Sequence, residues 1–260
     1  MKERKRVALV LGGGGALGFA HIGVIKALEK AGVPIDIVAG TSMGGLVGAA
    51  YSAGLTVKEM TELATKFKTI NLADLNFDKT GLFSGKGVMN VLNKFLPDVN
   101  IETLPKAFAC VAADLRTEKE VVFRFGSLRD AVRSTISIPG VFVPFKKDDM
   151  FLIDGGAVNN LPEDVAMEMG ADVIISCDVL GQYKMTSKPK SIVDSLFLSM
   201  NVAIKEIQKY RSVHSDILLK PKLPGLTPFS FAKDNALLAI RRGERAVKDK
   251  ISDILKLIKT

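Results

Sequence analysis

The residues with the clearest capacity for chemistry are Gly40-Thr41-Ser42-Met43-Gly44, a G-x-S-x-G run. An apolar, strand-like segment at 35–39 precedes it, and a helical pattern at 43–53 follows and stops at Gly54. That is the setting of a nucleophile elbow, in which a strained strand-to-helix turn lifts the serine hydroxyl clear of the backbone. The glycines on either side remove side chains that would clash there. The new helix begins beside Ser42, so its unbonded N–H groups and its dipole favour a negatively charged oxygen. The chemistry implied is nucleophilic attack through a covalent intermediate.

A second run, Gly12-Gly13-Gly14-Gly15-Ala16-Leu17-Gly18, ends the first apolar segment. Adjacent N–H groups in such a turn can converge on one anion. Two readings compete. Gly13, Gly15 and Gly18 satisfy the dinucleotide fingerprint G-x-G-x-x-G, which also expects an acidic residue at the end of the second strand. Asp36 is at that strand's start, and its end is Gly40-Thr41-Ser42. In a parallel sheet the loop and Ser42 would share one edge, and a glycine loop beside a nucleophilic serine is an oxyanion hole.

The serine needs a base. The chain has two histidines, His21 on the first helix and His214 in the C-terminal third. Ser42, Asp154 and His214 have the chain order of an α/β-hydrolase triad, although such enzymes place the elbow after several strands and here it follows the second. Asp154 is the alternative. It closes the apolar run Phe151-Leu152-Ile153 and precedes Gly155-Gly156, which predicts a strand end on the same sheet edge as Ser42. Burial among apolar neighbours would raise its pKa and make it a better base.

These residues must be held by a scaffold, and the pattern around them alternates strands with helices. Residues 7–11, 35–39, 108–113, 121–125, 151–153 and 173–178 read as strands, and 20–31, 43–53 and 56–68 as helices. The alternation predicts one α/β domain with a mostly parallel sheet. Residues 69–105 are less regular and read as a helical insertion. After about residue 181 the pattern becomes helical and basic, with an apolar stripe of Leu196, Phe197, Met200, Ile204 and Ile207 that predicts packing on the parent domain. A single domain over residues 1–260 is expected.

Composition is that of an ordinary globular chain, with 260 residues, 47% hydrophobic and 25% charged, which excludes disordered and collagen-like classes. Cys110 and Cys177 lie apart in apolar runs, which argues against a disulfide framework or a zinc cluster and for a reducing compartment. No apolar stretch approaches the roughly 20 residues of a membrane span. The basic N-terminus is followed by too short an apolar run for a signal peptide, so a cytoplasmic protein is expected. The net charge of +8 is localised: residues 181–260 hold 16 Lys+Arg against 7 Asp+Glu, a balance of +9. That third, with Arg241, Arg242, Arg245, Lys248 and Lys250, favours an anionic partner, and an anionic inner membrane face fits better than nucleic acid because no aromatic recognition motif accompanies it.

Taken jointly, the glycine loop, the elbow, Ser134-Thr135-Ile136-Ser137-Ile138-Pro139 with Pro144, and Asp154-Gly155-Gly156 resemble the bacterial patatin-like phospholipases from about residue 7 to 178. The resemblance implies a three-layer α/β/α sandwich and a lipid acyl hydrolase with a Ser-Asp dyad and no metal requirement. Its substrates would be phospholipids, lysophospholipids or neutral acyl esters. Carried over, Ser42 is the nucleophile, Asp154 the base, and Gly13, Gly14, Gly15 and Met43 supply the oxyanion donors. One departure stands out: the family has Arg or Lys before the last glycine of the loop, where this chain has Leu17.

Overall fold

The computed structural model describes residues 4–66, 81–184, 188–189, 191–211 and 214–259. Strands β1 (Val7–Leu11), β2 (Ile37–Thr41) and β3 (Ala107–Asp114) pair in parallel. Strand β4 (Lys119–Phe123) folds back antiparallel on β3, and β5 (Phe145–Lys147) and β6 (Met150–Asp154) form a hairpin that also meets β3. On the far side β7 (Val173–Cys177) and β8 (Ile217–Leu219) continue the parallel part, giving one sheet in the order β5-β6-β3-β2-β1-β7-β8 with β4 on β3.

Strand periodicity decides which side chains go to which face. Val7, Leu9 and Leu11 enter the larger core, and Ala8 and Val10 enter the smaller one. Small residues on that second face, Ala8, Ala39 and Ala109, let α6 (Glu163–Glu168) approach through Val165 and Ala166. The larger core is covered by α1 (Ala20–Lys30), α2 (Met43–Ser52) and α5 (Leu128–Thr135), and by α8 (Lys233–Lys248) and α9 (Ile251–Lys259). Helices on both faces of a mostly parallel sheet make the predicted three-layer sandwich. The basic C-terminal region is docked into it. Helix α8 crosses α1 so closely that a Cβ on Gly23 would lie 1.8 Å from Ile240 O.

Three further helices surround the C-terminal end of β2: α3 (Val57–Lys66), α4 (Lys86–Phe95) and α7 (Ile192–Gln208). The expected insertion is therefore helical at α4. Residues 67–80, including the last two of the helix expected over 56–68, lie outside the described residues. The second strand runs two residues later than expected because Asp36 serves as a cap, accepting from Val7 N–H at 2.8 Å. Strands β5 and β8, three residues each, were not expected.

The sequence places Asp154 beside Ser42 by a parallel alignment that the sheet does not have. Strand β6 is antiparallel to β3. Cys110 and Val111 pair with both β2 and β4, and Ala112 pairs with both β4 and β6, so β2 and β6 share one edge of β3. They run toward each other along it. Thr41 is opposite Val111 and Asp154 is opposite Ala112, so the two C-terminal ends meet head to head. Among the described residues no helix is long and apolar enough to cross a membrane.

Candidate active site

Ser42 occupies the junction of β2 and α2 with φ 55° and ψ −126°. A non-glycine residue there carries on the order of 1–3 kcal/mol of backbone strain, so its surroundings must hold it. Its N–H donates to Thr135 Oγ1 at 2.9 Å, and the Thr135 hydroxyl donates onward to Val111 O. Thr41 Oγ1 donates to Asn159 O at 2.7 Å. The elbow glycines are required by space: a Cβ on Gly44 would lie 2.0 Å from Leu11 O, and one on Gly40 2.6 Å from Gly44 C. Thr135 was visible in the sequence only as part of a serine-rich block, and its role as the brace of the elbow emerges from α5 lying over β3.

Asp154 is buried at the end of β6. Its own N–H donates to Ser137 O at 2.9 Å, and its Oδ1 accepts from Gly156 N–H at 2.8 Å. Its Oδ2 has no hydrogen-bond partner among the described residues. Burial pushes the carboxyl up to about 6, against the opposing pull of the Ser42 hydroxyl and the Gly156 N–H. Ser42 and Asp154 line one small cavity of about 10 Å³ together with Gly14 and Asn160. A carboxyl poised near neutrality thus lines the same small cavity as a strained serine, and hydrogen bonds between a nucleophile and its base commonly tighten only when substrate is bound.

The glycine loop is pinned peptide by peptide. Gly12 O lies 2.8 Å from His21 Nε2, and since a carbonyl only accepts, that nitrogen carries the proton. Burial pushes the His21 pKa down to about 4, so the ring is neutral at physiological pH. Gly13 N–H donates to Asn160 O at 3.2 Å, and Asn160 Nδ2 donates to Gly13 O at 3.3 Å. The Gly13 N–H, expected among the oxyanion donors, is therefore engaged. Among the described residues the N–H groups of Gly14, Gly15 and Met43 have no protein acceptor, and all three residues line cavities that also contain Ser42. The sequence does not mark Asn160 and His21 as loop clamps; His21 lies buried on α1, from which it reaches Gly12 O.

The larger cavity, about 290 Å³, opens on Ser42 between α2, α3 and α4. Leu46, Met60, Val88, Leu92, Phe142 and Phe231 give it an apolar wall, which suits a hydrocarbon chain better than a polar ligand. His214 is elsewhere, exposed in a separate groove with Lys205, Arg211 and Lys220. The triad ordering of Ser42, Asp154 and His214 is not assembled. The nucleotide reading of Gly13, Gly15 and Gly18 also fails on geometry. Asp36 is tied to Arg4 at 2.6 Å at the opposite end of β2, and the loop is packed under Pro228, whose carbonyl accepts from Ala16 N–H at 2.8 Å. Leu17 is fully buried in the larger core. Among the described residues no group of three or more His, Cys, Asp or Glu could hold a metal ion.

Comparison with known proteins gives a consistent result. The family model described as "Patatin-like phospholipase" matches residues 9–167. Patatin-like phospholipase domain-containing protein 6 of Mus musculus is 40% identical over 184 residues, covering 68% of this chain and 14% of that protein. The neuropathy target esterase sws of Drosophila melanogaster is 38% identical over 184 residues, with 13% of its length covered. An uncharacterised NTE family protein of Mycobacterium bovis is 38% identical over 179 residues, covering 68% of this chain and 49% of that protein. The chain thus spans half or less of the length of these relatives. Among solved structures, VipD from Legionella pneumophila superposes with a TM-score of 0.63 at 14% identity, over 99% of this chain and 67% of that one. The type III effector ExoU superposes at 0.52 and 13% identity, over 97% and 53%. At these identities the structural likeness speaks for the fold.

Proposed function

The chain belongs to the patatin-like phospholipase family, and from that premise we propose that it is a lipid acyl hydrolase working through Ser42 and Asp154. The observation that carries this reading is the shared cavity: a serine held at φ 55° faces a buried carboxyl with one unpartnered oxygen.

Ser42 Oγ attacks the ester carbonyl carbon while Asp154 Oδ2 accepts the hydroxyl proton. The carbonyl oxygen becomes an oxyanion held by the N–H groups of Gly14, Gly15 and Met43, with the α2 dipole behind Met43. Gly13 serves as the fixed support of that loop, since its own N–H is bonded to Asn160. Collapse of the intermediate expels the alcohol, which takes the proton back from Asp154. Asp154 then accepts a proton from water as the water oxygen attacks the acyl-serine, the intermediate expels Ser42 Oγ, which takes that proton back from Asp154, and the fatty acid leaves. The Asp154 pKa near 6 serves both halves, being low enough to be ionised at neutral pH and high enough to accept a proton.

The apolar cavity receives the acyl chain, so phospholipids, lysophospholipids or neutral acyl esters are the substrate class. The basic C-terminal surface around Arg241, Arg242 and Arg245 adds attraction to anionic lipid, consistent with a peripheral cytoplasmic enzyme. Ser42→Ala and Asp154→Asn should each abolish hydrolysis of a soluble short-chain ester while the circular dichroism spectrum is kept. His214→Gln should retain most activity. Full activity in either of the first two variants, or its collapse in the third, contradicts the mechanism.

A further inference from the structure

The apolar sector of helix α7 is wider than the face it buries. Its inner face presents Phe197, Met200 and Ile204 to the small cavity that contains Ser42 and Asp154. That cavity has room for about one water, so α7 covers the catalytic pair. At 100° per residue, Ile192, Leu196 and Ile207 fall within an arc of about 60° on the flank beside the face of Met200, Ile204 and Phe197, and Tyr210 follows just after the helix ends. All four are exposed, Ile192 at 81% and Leu196 at 46%. A helix packed on a water-soluble domain ordinarily turns polar residues outward, and a run of exposed apolar side chains marks a surface that something covers.

Two other segments add to the patch beside this helix. Leu196 packs over Gly140, to whose carbonyl Leu82 N–H donates at 3.3 Å, and Leu82 is itself exposed. Phe229, 40% exposed, sets its ring edge-on to Phe197 at 5.5 Å. Ile138, two residues before Gly140, lines both the small cavity and the acyl cavity. Exposed apolar side chains from three separate segments therefore collect around the approach to Ser42.

We infer that this rim, formed by the exposed flank of α7 with Leu82 and Phe229, is where the protein docks on a lipid bilayer; the inference rests on the acyl-hydrolase reading. A protein partner seated there would lie across the route a substrate must take, whereas a bilayer delivers substrate to it. Charge agrees: residues 181–211 hold six Lys+Arg against Asp194 and Glu206, which suits anionic headgroups. The C-terminal helices supply charge without insertion, because Leu238, Leu255 and Ile258 are packed against the core.

The chain has no tryptophan, so Leu196→Trp supplies a single reporter. In a Ser42→Ala background, which prevents turnover, titration with phosphatidylglycerol vesicles should shift its emission to the blue. Adding Ile192→Asp and Phe229→Asp should weaken vesicle partition by about tenfold or more, since each removes an apolar side chain from the buried contact. With Ser42 present, these two changes should leave hydrolysis of a soluble short-chain ester unaltered. Phe125→Asp, an exposed phenylalanine beyond β4, should change neither measurement. An emission shift without ester hydrolysis supports docking and counts against the catalytic reading alone. No shift, equal weakening by Phe125→Asp, or self-association of the protein without a vesicle response overturns the inference.

Discussion

Asp154→Asn should remove hydrolysis and at the same time stabilise the protein, in a way that depends on pH. The ordinary carboxyl pKa of 3.8 describes the unfolded chain, and the folded value is about 6. The folded state thus binds this proton more tightly, and stability falls as pH rises from about 3.8 through 6. Two pKa units correspond to about 3 kcal/mol at neutral pH. Asparagine does not ionise, and its Oδ1 can still accept from Gly156 N–H. Its advantage should therefore be near zero at about pH 4, grow through pH 6 and level off by pH 7.5. For a chain of 260 residues, about 3 kcal/mol corresponds to roughly 5 °C in Tm. Parallel thermal melts of both proteins at several pH values read this difference directly. A gap independent of pH, or an asparagine variant less stable at pH 7.5, would refute the claim that burial of an ionised Asp154 is what raises its pKa.

The same pKa governs rate: kcat/KM for a soluble ester should fall about tenfold per pH unit below 6, and a profile flat down to pH 4.5 would contradict Asp154 as base. The clamps on the glycine loop predict that His21→Leu and Asn160→Ala lower kcat by roughly tenfold to hundredfold with little change in KM, as a misplaced oxyanion donor does. His21→Gln, which keeps an N–H for Gly12 O, should restore most of the rate in steady-state assays. Leu17→Arg should not raise turnover. Leu17 is fully buried, so an arginine there buries an unpaired charge at a cost of several kcal/mol, and a lowered Tm is the expected reading.

The pattern of residues made the parallel strands and the elbow legible because fully apolar five-residue runs such as Val7–Leu11 belong to a sheet covered on both faces. Strands β5 and β8 carry too few residues for any period to register. The direction of β6 was equally hidden. Nothing in Phe151-Leu152-Ile153 distinguishes a strand parallel to β2 from one that meets it end to end, yet either places Asp154 beside Ser42. Glycine composition marked the oxyanion loop but not which of its N–H groups are free, since that depends on Asn160, about 150 residues away in sequence. The stripe on α7 was read as one packing face. Phe197 and Ile204 are indeed buried, but Leu196 and Ile207, at one edge of the same stripe, are exposed, because the width of the arc that neighbouring elements cover is set by the fold and not by the helical period.

The central claim is that Ser42 is a nucleophile activated by Asp154. Labelling the protein with a fluorophosphonate and mapping the adduct by peptide mass spectrometry tests it most directly, because the reagent reports nucleophilic attack without requiring the true substrate. The account predicts one adduct, on Ser42, formed at a rate that Asp154→Asn lowers by a hundredfold or so, that His214→Gln leaves unchanged, and that vanishes in Ser42→Ala. An adduct on another serine, or labelling of Ser42 at the same rate in Asp154→Asn, would contradict it.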